Sequence, residues 1–110
     1  MKHTVELEQY LPLNPNYKSI LILDRKLTEE KIPHLLMRLD DGWQILYPNL
    51  EDRCFDVIET KFSFGHDKDL MEAYGYGMED VEVVDVEQAL ELFKKFHSEL
   101  KMDYCFVENM

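Results

Sequence analysis

The stretch IPHLLMRLDDGWQILYP, residues 32–48, carries the strongest hairpin signal in the chain. Two runs of strand-forming residues flank an Asp-Gly pair, and such a pair between apolar runs is typical of a tight β-hairpin turn. We therefore predict strands over about 34–40 and 43–47, with Asp41 and Gly42 as the central turn residues.

The alternation of side chains divides this hairpin into two faces. One face is wholly apolar and is predicted to be the core face; its members are Leu35, Met37, Leu39 and Leu46. The other is mixed, so we expect its aromatic residues to be only partly covered, although a longer turn would exchange the two faces. The mixed face consists of Leu36, Arg38, Trp43, Ile45 and Tyr47.

Patterns on either side of the hairpin complete the predicted fold. Asn14 and Pro15 are typical of a helix start, and a helix is expected over about 15–31. The stretch RCFDVIET reads as a third strand with Phe55 and Val57 on one side. At 110 residues the chain is predicted to be a single α+β domain, a small antiparallel β-meander packed against two main helices.

The segment FSFGHDKDLMEAYGYG, residues 62–77, combines one histidine with three carboxylates and four aromatic residues. Asp69 and Glu72 have the spacing of a capping box, in which each side chain bonds the other residue's N–H. We therefore expect a short helix from Asp69 that Gly75 and Gly77 end.

The last helix has the clearest helical pattern in the chain. Residues 81–86, VEVVDV, are expected to form a brief strand before it, and Asp85 with Gln88 forms a second capping box at its start. Apolar residues then recur at steps of three and four, a core-facing stripe. The stripe consists of Val86, Ala89, Leu90, Phe93, Phe96, His97 and Leu100.

Charge and composition exclude several classes of partner. The chain carries 12 Lys and Arg against 23 Asp and Glu, and a net charge of −11 repels phosphate backbones, so direct nucleic-acid binding is disfavoured. The longest apolar run, ILIL, is far short of the roughly 20 residues that a membrane span needs. No charged-then-apolar leader opens the chain, and Cys54 and Cys105 are too few for a disulfide framework. We expect buried free thiols and a cytoplasmic location.

No known catalytic or metal-binding motif occurs in the sequence, and we predict no catalytic residue, no metal and no cofactor. One alternative is a small metal-dependent hydrolase or nuclease in which His66 acts with Asp67, Asp69 or Glu72 around a divalent ion. Another is a sponge for a small signalling nucleotide, which would need a cationic pocket. The clustered bases available for such a pocket are Arg25, Lys26, Lys94 and Lys95.

The acidic run over 67–91 is the main candidate for function, with nine carboxylates and one lysine. Its simplest interpretation is a solvated face that keeps the protein in solution. The functional interpretation is a negative surface for a partner protein with a basic surface, such as one that handles nucleic acid, with tyrosines as anchors. The candidate partner-binding residues are Asp67, Asp69, Glu72, Tyr74, Tyr76, Glu79, Asp80, Glu82, Glu87 and Glu91.

Three stretches together, the hairpin above, RCFDVIE, and FSFGHDKDLMEAYG followed by EDVEVVDVEQALELF, resemble a group of small proteins encoded by phages and prophages of Gram-positive bacteria. The resemblance covers about 33–93 of this sequence; the chain departs from the group at EAYG and after Lys101. It implies a phage context and action in a host bacterial cell. Anti-defence proteins, including anti-CRISPR proteins, are the class that this context favours. The group has no established chemistry, so it implies no catalytic residue.

Overall fold

The computed structural model describes residues 17–75 and 77–100. Five antiparallel strands form one sheet whose spatial order follows the chain, and two helices pack on one of its faces. The predicted α+β meander with two main helices is therefore confirmed. The strands are β1 Leu35–Leu39, β2 Gly42–Tyr47, β3 Phe55–Glu59, β4 Met71–Gly75 and β5 Glu82–Val84, and the helices are α1 Lys18–Glu29 and α2 Val86–Leu100.

The hydrophobic core lies between the sheet and the two helices. Phe93 of α2 stands at its centre, edge-on to the rings of Tyr47 at 6.0 Å and Phe55 at 4.9 Å between centroids. Each such edge-on pair stabilises the fold by about 0.5–1.5 kcal/mol beyond the contribution of the apolar area that it buries. The strands contribute Leu36, Trp43, Ile45, Tyr47, Phe55, Val57, Met71, Ala73 and Val84 to this core.

The hairpin forms, but its turn lies one residue earlier than predicted. Leu39 pairs with Gly42, so Asp40 and Asp41 make the connection, and Asp40 takes the left-handed φ of 53°. Gly42 is instead the first residue of β2, where a Cβ would lie 1.9 Å from the backbone oxygen of Glu59. The glycine is needed because β2 and β3 approach closely there, and the adjacent aspartates make the turn.

The prediction of the core face is wrong. The earlier turn moves every pairing by two positions, so the residues sharing each face are as expected, but the mixed face is the one that meets the helices. Trp43 is 2% exposed, and the Arg38 guanidinium lies 5.2 Å from its ring centre. Aromatic rings gain most from burial, and an arginine can cover a ring while its charge stays in water. Of the expected core face only Leu46 is buried.

The short helix predicted from Asp69 is also wrong. A single 3₁₀ turn spans His66–Lys68, Asp69 adopts a left-handed φ of 60°, and the chain then enters β4. Met71 and Ala73, two positions apart in the strand, both point into the core, and β4 pairs with both β3 and β5. These non-local pairings outweigh the local capping pattern.

The other local predictions agree with the structure where it describes them. Asp85 and Gln88 form the expected capping box, with reciprocal bonds of 2.9 and 2.8 Å from backbone N–H to side-chain oxygen. The brief strand before α2 is β5, and Phe55 and Val57 lie on the core side of β3. The helix α1 begins at Lys18, and the predicted start at 14–15 lies outside the described residues.

The prediction that Cys54 is a free thiol is wrong, because this residue is disulfide-bonded. The other cysteine of the sequence, Cys105, lies outside the described residues.

Candidate functional site

The acidic run includes residues at both ends of strand β4. Asp67 and Asp69 lie in and just after the 3₁₀ turn that precedes the strand, and both are exposed. Glu79 and Asp80 lie in the connection between β4 and β5, at the opposite end, and are also exposed. The structure therefore does not bring these two pairs together. Tyr76 lies outside the described residues.

The remaining candidates lie on both sides of the sheet. Glu72 and Tyr74 are on the face turned away from the helices, which we call the outer face, since Met71 and Ala73, which alternate with them in β4, enter the core. Glu82 pairs with the core residue Ala73 and therefore lies on the helix side. Glu87 and Glu91 are exposed on α2. These carboxylates, which we call the acidic band, are spread over the turn before β4, strands β4 and β5 with their connection, and α2, rather than over one flat surface: Asp67, Asp69, Glu72, Glu79, Asp80, Glu82, Glu87 and Glu91.

Part of this band has a cationic neighbour. The Lys26 ammonium lies 3.7 Å from a Glu87 carboxylate oxygen, and the two side chains are 38% and 72% exposed. Such exposed ion pairs contribute about 0–1 kcal/mol to stability. The Lys94 ammonium likewise lies 3.9 Å from a Glu30 carboxylate oxygen. Lys26 and Lys94, two of the four bases proposed for a nucleotide pocket, therefore face carboxylates, which argues against the nucleotide-sponge alternative.

Two apolar side chains beside the acidic band, Phe64 and Val83, were not predicted from the sequence, whereas their neighbour Tyr74 was. Phe64 is 65% exposed, Tyr74 45% and Val83 43%. Val83 pairs with Glu72 across β4 and β5, and the Phe64 N–H donates to a Glu72 carboxylate oxygen at 3.0 Å. The alternation of apolar residues at 81 and 83 was the available signal, but their exposure depends on β5 being the last described strand of the sheet.

Glu59 is a buried carboxylate that sequence analysis also missed. It is 0% exposed at the end of β3, and the Ile20 N–H in the first turn of α1 donates to its Oε1 at 2.9 Å. Its Oε2 is buried and has no hydrogen-bond partner among the described residues. Burial raises the pKa of Glu59 to about 7, the bond from Ile20 opposes this, and the charge of Asp69 adds to it. The signal was the alternation Phe55, Val57, Glu59, which places the glutamate on the core face.

We expect Glu59→Gln to remove a pH dependence of stability. Because the pKa of Glu59 in the folded protein is about 7, above the ordinary 4.5, its contribution is present in full below 4.5 and is lost as pH rises through about 7. Chemical denaturation at a series of pH values should show the variant gaining on the parent by up to about 1.4 kcal/mol per pH unit in this window.

Glu29→Gln is the matched control for Glu59→Gln, since Glu29 is exposed on α1. Its difference from the parent should not change with pH over the same window. A constant difference for Glu59→Gln as well would contradict a protonated Glu59 in the folded protein.

His34 and Asp24 form a buried pair, with His34 Nε2 and Asp24 Oδ1 at 2.8 Å. The other ring nitrogen lies 2.8 Å from the backbone oxygen of Ile32, which can only accept, so Nδ1 carries a proton. With both nitrogens engaged, His34 joins α1 to the start of β1 and is not placed as a catalytic base. His97 bonds the Tyr47 hydroxyl at 2.9 Å and is half-buried, as the apolar stripe of α2 predicts.

The structure does not assemble a metal site from His66 and its neighbouring carboxylates. Among the described residues, no three or more His, Cys, Asp or Glu side chains are grouped so that they could hold an ion. Within residues 17–75 and 77–100, the set of three ligands that the hydrolase alternative needs around His66 is therefore not found.

Within the described part of the chain, neither helix combines the length and the apolar composition that crossing a membrane requires.

Comparison with known proteins gives no relative for this chain. No protein family model, no curated protein and no solved structure matches it.

Proposed function

We propose that this protein is a phage-derived, non-catalytic inhibitor that binds a host protein through its acidic band. The observation that supports this most is the acidic band itself, in which Glu79, Asp80 and Glu82 are exposed in β5 and the connection before it, and Glu91 is exposed on α2. A partner with a basic surface, such as a nucleic-acid-handling or defence protein, is complementary to it. Carboxylates spaced along such a surface occupy a Lys- and Arg-lined channel in place of phosphates.

The charge distribution of the chain supports an electrostatic mode of binding. Residues 1–55 carry 7 basic and 9 acidic side chains, a net −2, whereas 56–110 carry 5 basic and 14 acidic, a net −9. Negative charge concentrated in residues 56–110 speeds the encounter with a basic partner and makes binding sensitive to salt.

The proposed place of action is the cytoplasm of the host bacterium, where such targets act. Because thiols are kept reduced in that compartment, the proposed binding is one that does not depend on the disulfide of Cys54.

Neutralising part of the band should weaken association without unfolding the protein. The variant Glu79→Gln, Asp80→Asn, Glu82→Gln keeps the acceptor at position 80 that bonds the Val81 N–H. Each exposed change should alter stability by less than about 0.5 kcal/mol. A partner captured from host lysate at low salt should associate more slowly with this variant and show a flatter salt dependence, whereas Tyr74→Ala should chiefly speed dissociation.

The control is a triple variant with the same change in charge at exposed acids outside the band: Glu29→Gln, Glu51→Gln and Glu99→Gln. It should retain most of the parental association rate. Parental kinetics for the band variant would contradict the proposed function, and so would an equal loss in both triple variants.

A further inference from the structure

The strand register and one loop contact bring apolar side chains of the outer face close to two carboxylates. The register places Ile58 opposite Glu72 and Glu72 opposite Val83, so these three side chains cross β3, β4 and β5 in one row. Asp56 stands opposite Tyr74 in the next row. Phe64 is tied to this row because its N–H bonds Glu72. We call these side chains the outer-face patch: Asp56, Ile58, Phe64, Glu72, Tyr74 and Val83.

The loop that carries Phe64 is held firmly against the sheet. A Cβ at Gly65 would lie 2.7 Å from Val83 Cγ1 and 2.8 Å from Leu70 Cβ, and Gly65 takes a φ of 83°. The Gly65 oxygen also accepts the N–H groups of Lys68 and Leu70, at 2.9 and 3.0 Å. The phenyl ring next to Gly65 is therefore presented from an ordered turn while it is 65% exposed.

Neighbouring exposed apolar side chains are informative in a way that single exposed residues are not. Phe64, Tyr74 and Val83 all leave more than 40% of their surface in water. Aromatic side chains in such a position are typical anchors of protein interfaces, because they bury a large area and lose little conformational entropy.

The two carboxylates of the patch favour a partner with a positively charged group at this position. Asp56 and Glu72 are diagonal neighbours on adjacent strands. Burial raises the pKa of Asp56 and the charge of Glu72 raises it further, while the bond from Gln44 and the charge of Arg53 oppose the rise. Two half-buried carboxylates that repel each other gain from a cation placed between them.

We propose that the outer-face patch docks a basic amphipathic segment of a partner protein. Its apolar side chains would pack on Phe64, Tyr74 and Val83, and an Arg or Lys would lie between Asp56 and Glu72. This inference rests on the proposed function and names the contact that anchors it. A second copy of this chain is a poor occupant, because two chains of net charge −11 repel each other.

Two short synthetic peptides test the docking site: one alternates Arg with Leu, and the other alternates Arg with Ser at the same charge. Titration of each into the ¹⁵N-labelled protein, followed by NMR, should show at least about tenfold tighter binding of the Arg-Leu peptide. Only that peptide should shift the amide signals of 56–58, 64, 72–74 and 83. The Arg-Ser peptide should shift only signals of those acidic-band residues that lie outside the patch, such as Glu79, Asp80 and Glu91.

The double variant Phe64→Ser, Val83→Thr removes the apolar surface with little change in shape at position 83. It should bind the Arg-Leu peptide about as weakly as the Arg-Ser peptide. The control Leu50→Ser, Ile22→Thr removes exposed apolar side chains elsewhere, at 52% and 47% exposure, and should bind both peptides like the parent.

The outcomes separate the docking site from the proposed function. Equal affinities for the two peptides, or an unchanged Arg-Leu affinity in the Phe64→Ser, Val83→Thr variant, would overturn the docking site while charge-driven binding stands. Failure of both peptides to bind would contradict both. Self-association of the parent that this double variant abolishes would assign the patch to a second copy and overturn the proposal.

Discussion

Gly42→Val is expected to prevent folding. A Cβ at this position would lie 1.9 Å from the Glu59 backbone oxygen, 3.0 Å from its carbonyl carbon and 3.1 Å from Thr60 Cα. All three atoms belong to the backbone of β3 and the residue after it, so no side-chain rotation relieves the overlap. The loss of folding stability should exceed the about 1–3 kcal/mol typical of overpacking among side chains. Circular dichroism and the yield of folded protein would show whether the variant folds.

Gly42→Ala and Gly77→Ala separate close approach from backbone conformation. Gly77 has a φ of 84° and no atom within 4 Å of a built Cβ, so alanine there should cost only about 1–2 kcal/mol for its left-handed backbone. Gly42→Ala should cost clearly more, although Gly42 does not have a left-handed φ. A smaller loss for Gly42→Ala than for Gly77→Ala would contradict the register of β2 against β3.

Phe93→Ala is expected to destabilise the fold by about 3–5 kcal/mol. Its ring is 0% exposed and stands edge-on to Tyr47 and Phe55, so truncation loses buried area, two aromatic contacts and leaves a cavity. Chemical denaturation gives the free energy of unfolding directly. Lys95→Ala, at an exposed position on the same helix, should change it by less than about 0.5 kcal/mol. A cost below about 1 kcal/mol for Phe93→Ala would mean that α2 does not cover the sheet as described.

The parts of the fold that sequence analysis predicted well are those whose causes are local. The capping box of Asp85 and Gln88 needs only four consecutive residues, and both of its bonds are present. The apolar stripe of α2 follows from the helical period alone, and Phe93 and Phe96 are buried as it requires.

The errors arose where contacts between distant residues decide the structure. Asp69 and Glu72 carry a good helix-start pattern, but β4 gains pairing on both of its edges by remaining extended. The Asp-Gly pair marks a turn, yet Gly42 is needed where β2 meets Glu59. Neither the approach of β3 to β2 nor the pairing of β4 can be read from the local sequence.

The candidate site follows the same division. The acidic residues of the candidate site were identifiable from composition, and all of them except Glu72 are exposed. What the sequence left open was their arrangement: Glu72 and Tyr74 share the outer face, whereas Glu82 lies on the helix side. Phe64 and Val83 joined the site only because a turn and a strand pairing bring them to Glu72.

The most direct test of the central claim is the hydrogen-exchange footprint of the protein bound to a partner captured from host lysate at low salt. The account predicts slower exchange of backbone amides over 56–58, 62–70 and 72–83, with little change over α1 and over β1. Protection confined to α1, or to the β1–β2 hairpin, would contradict binding through the acidic band and the outer face.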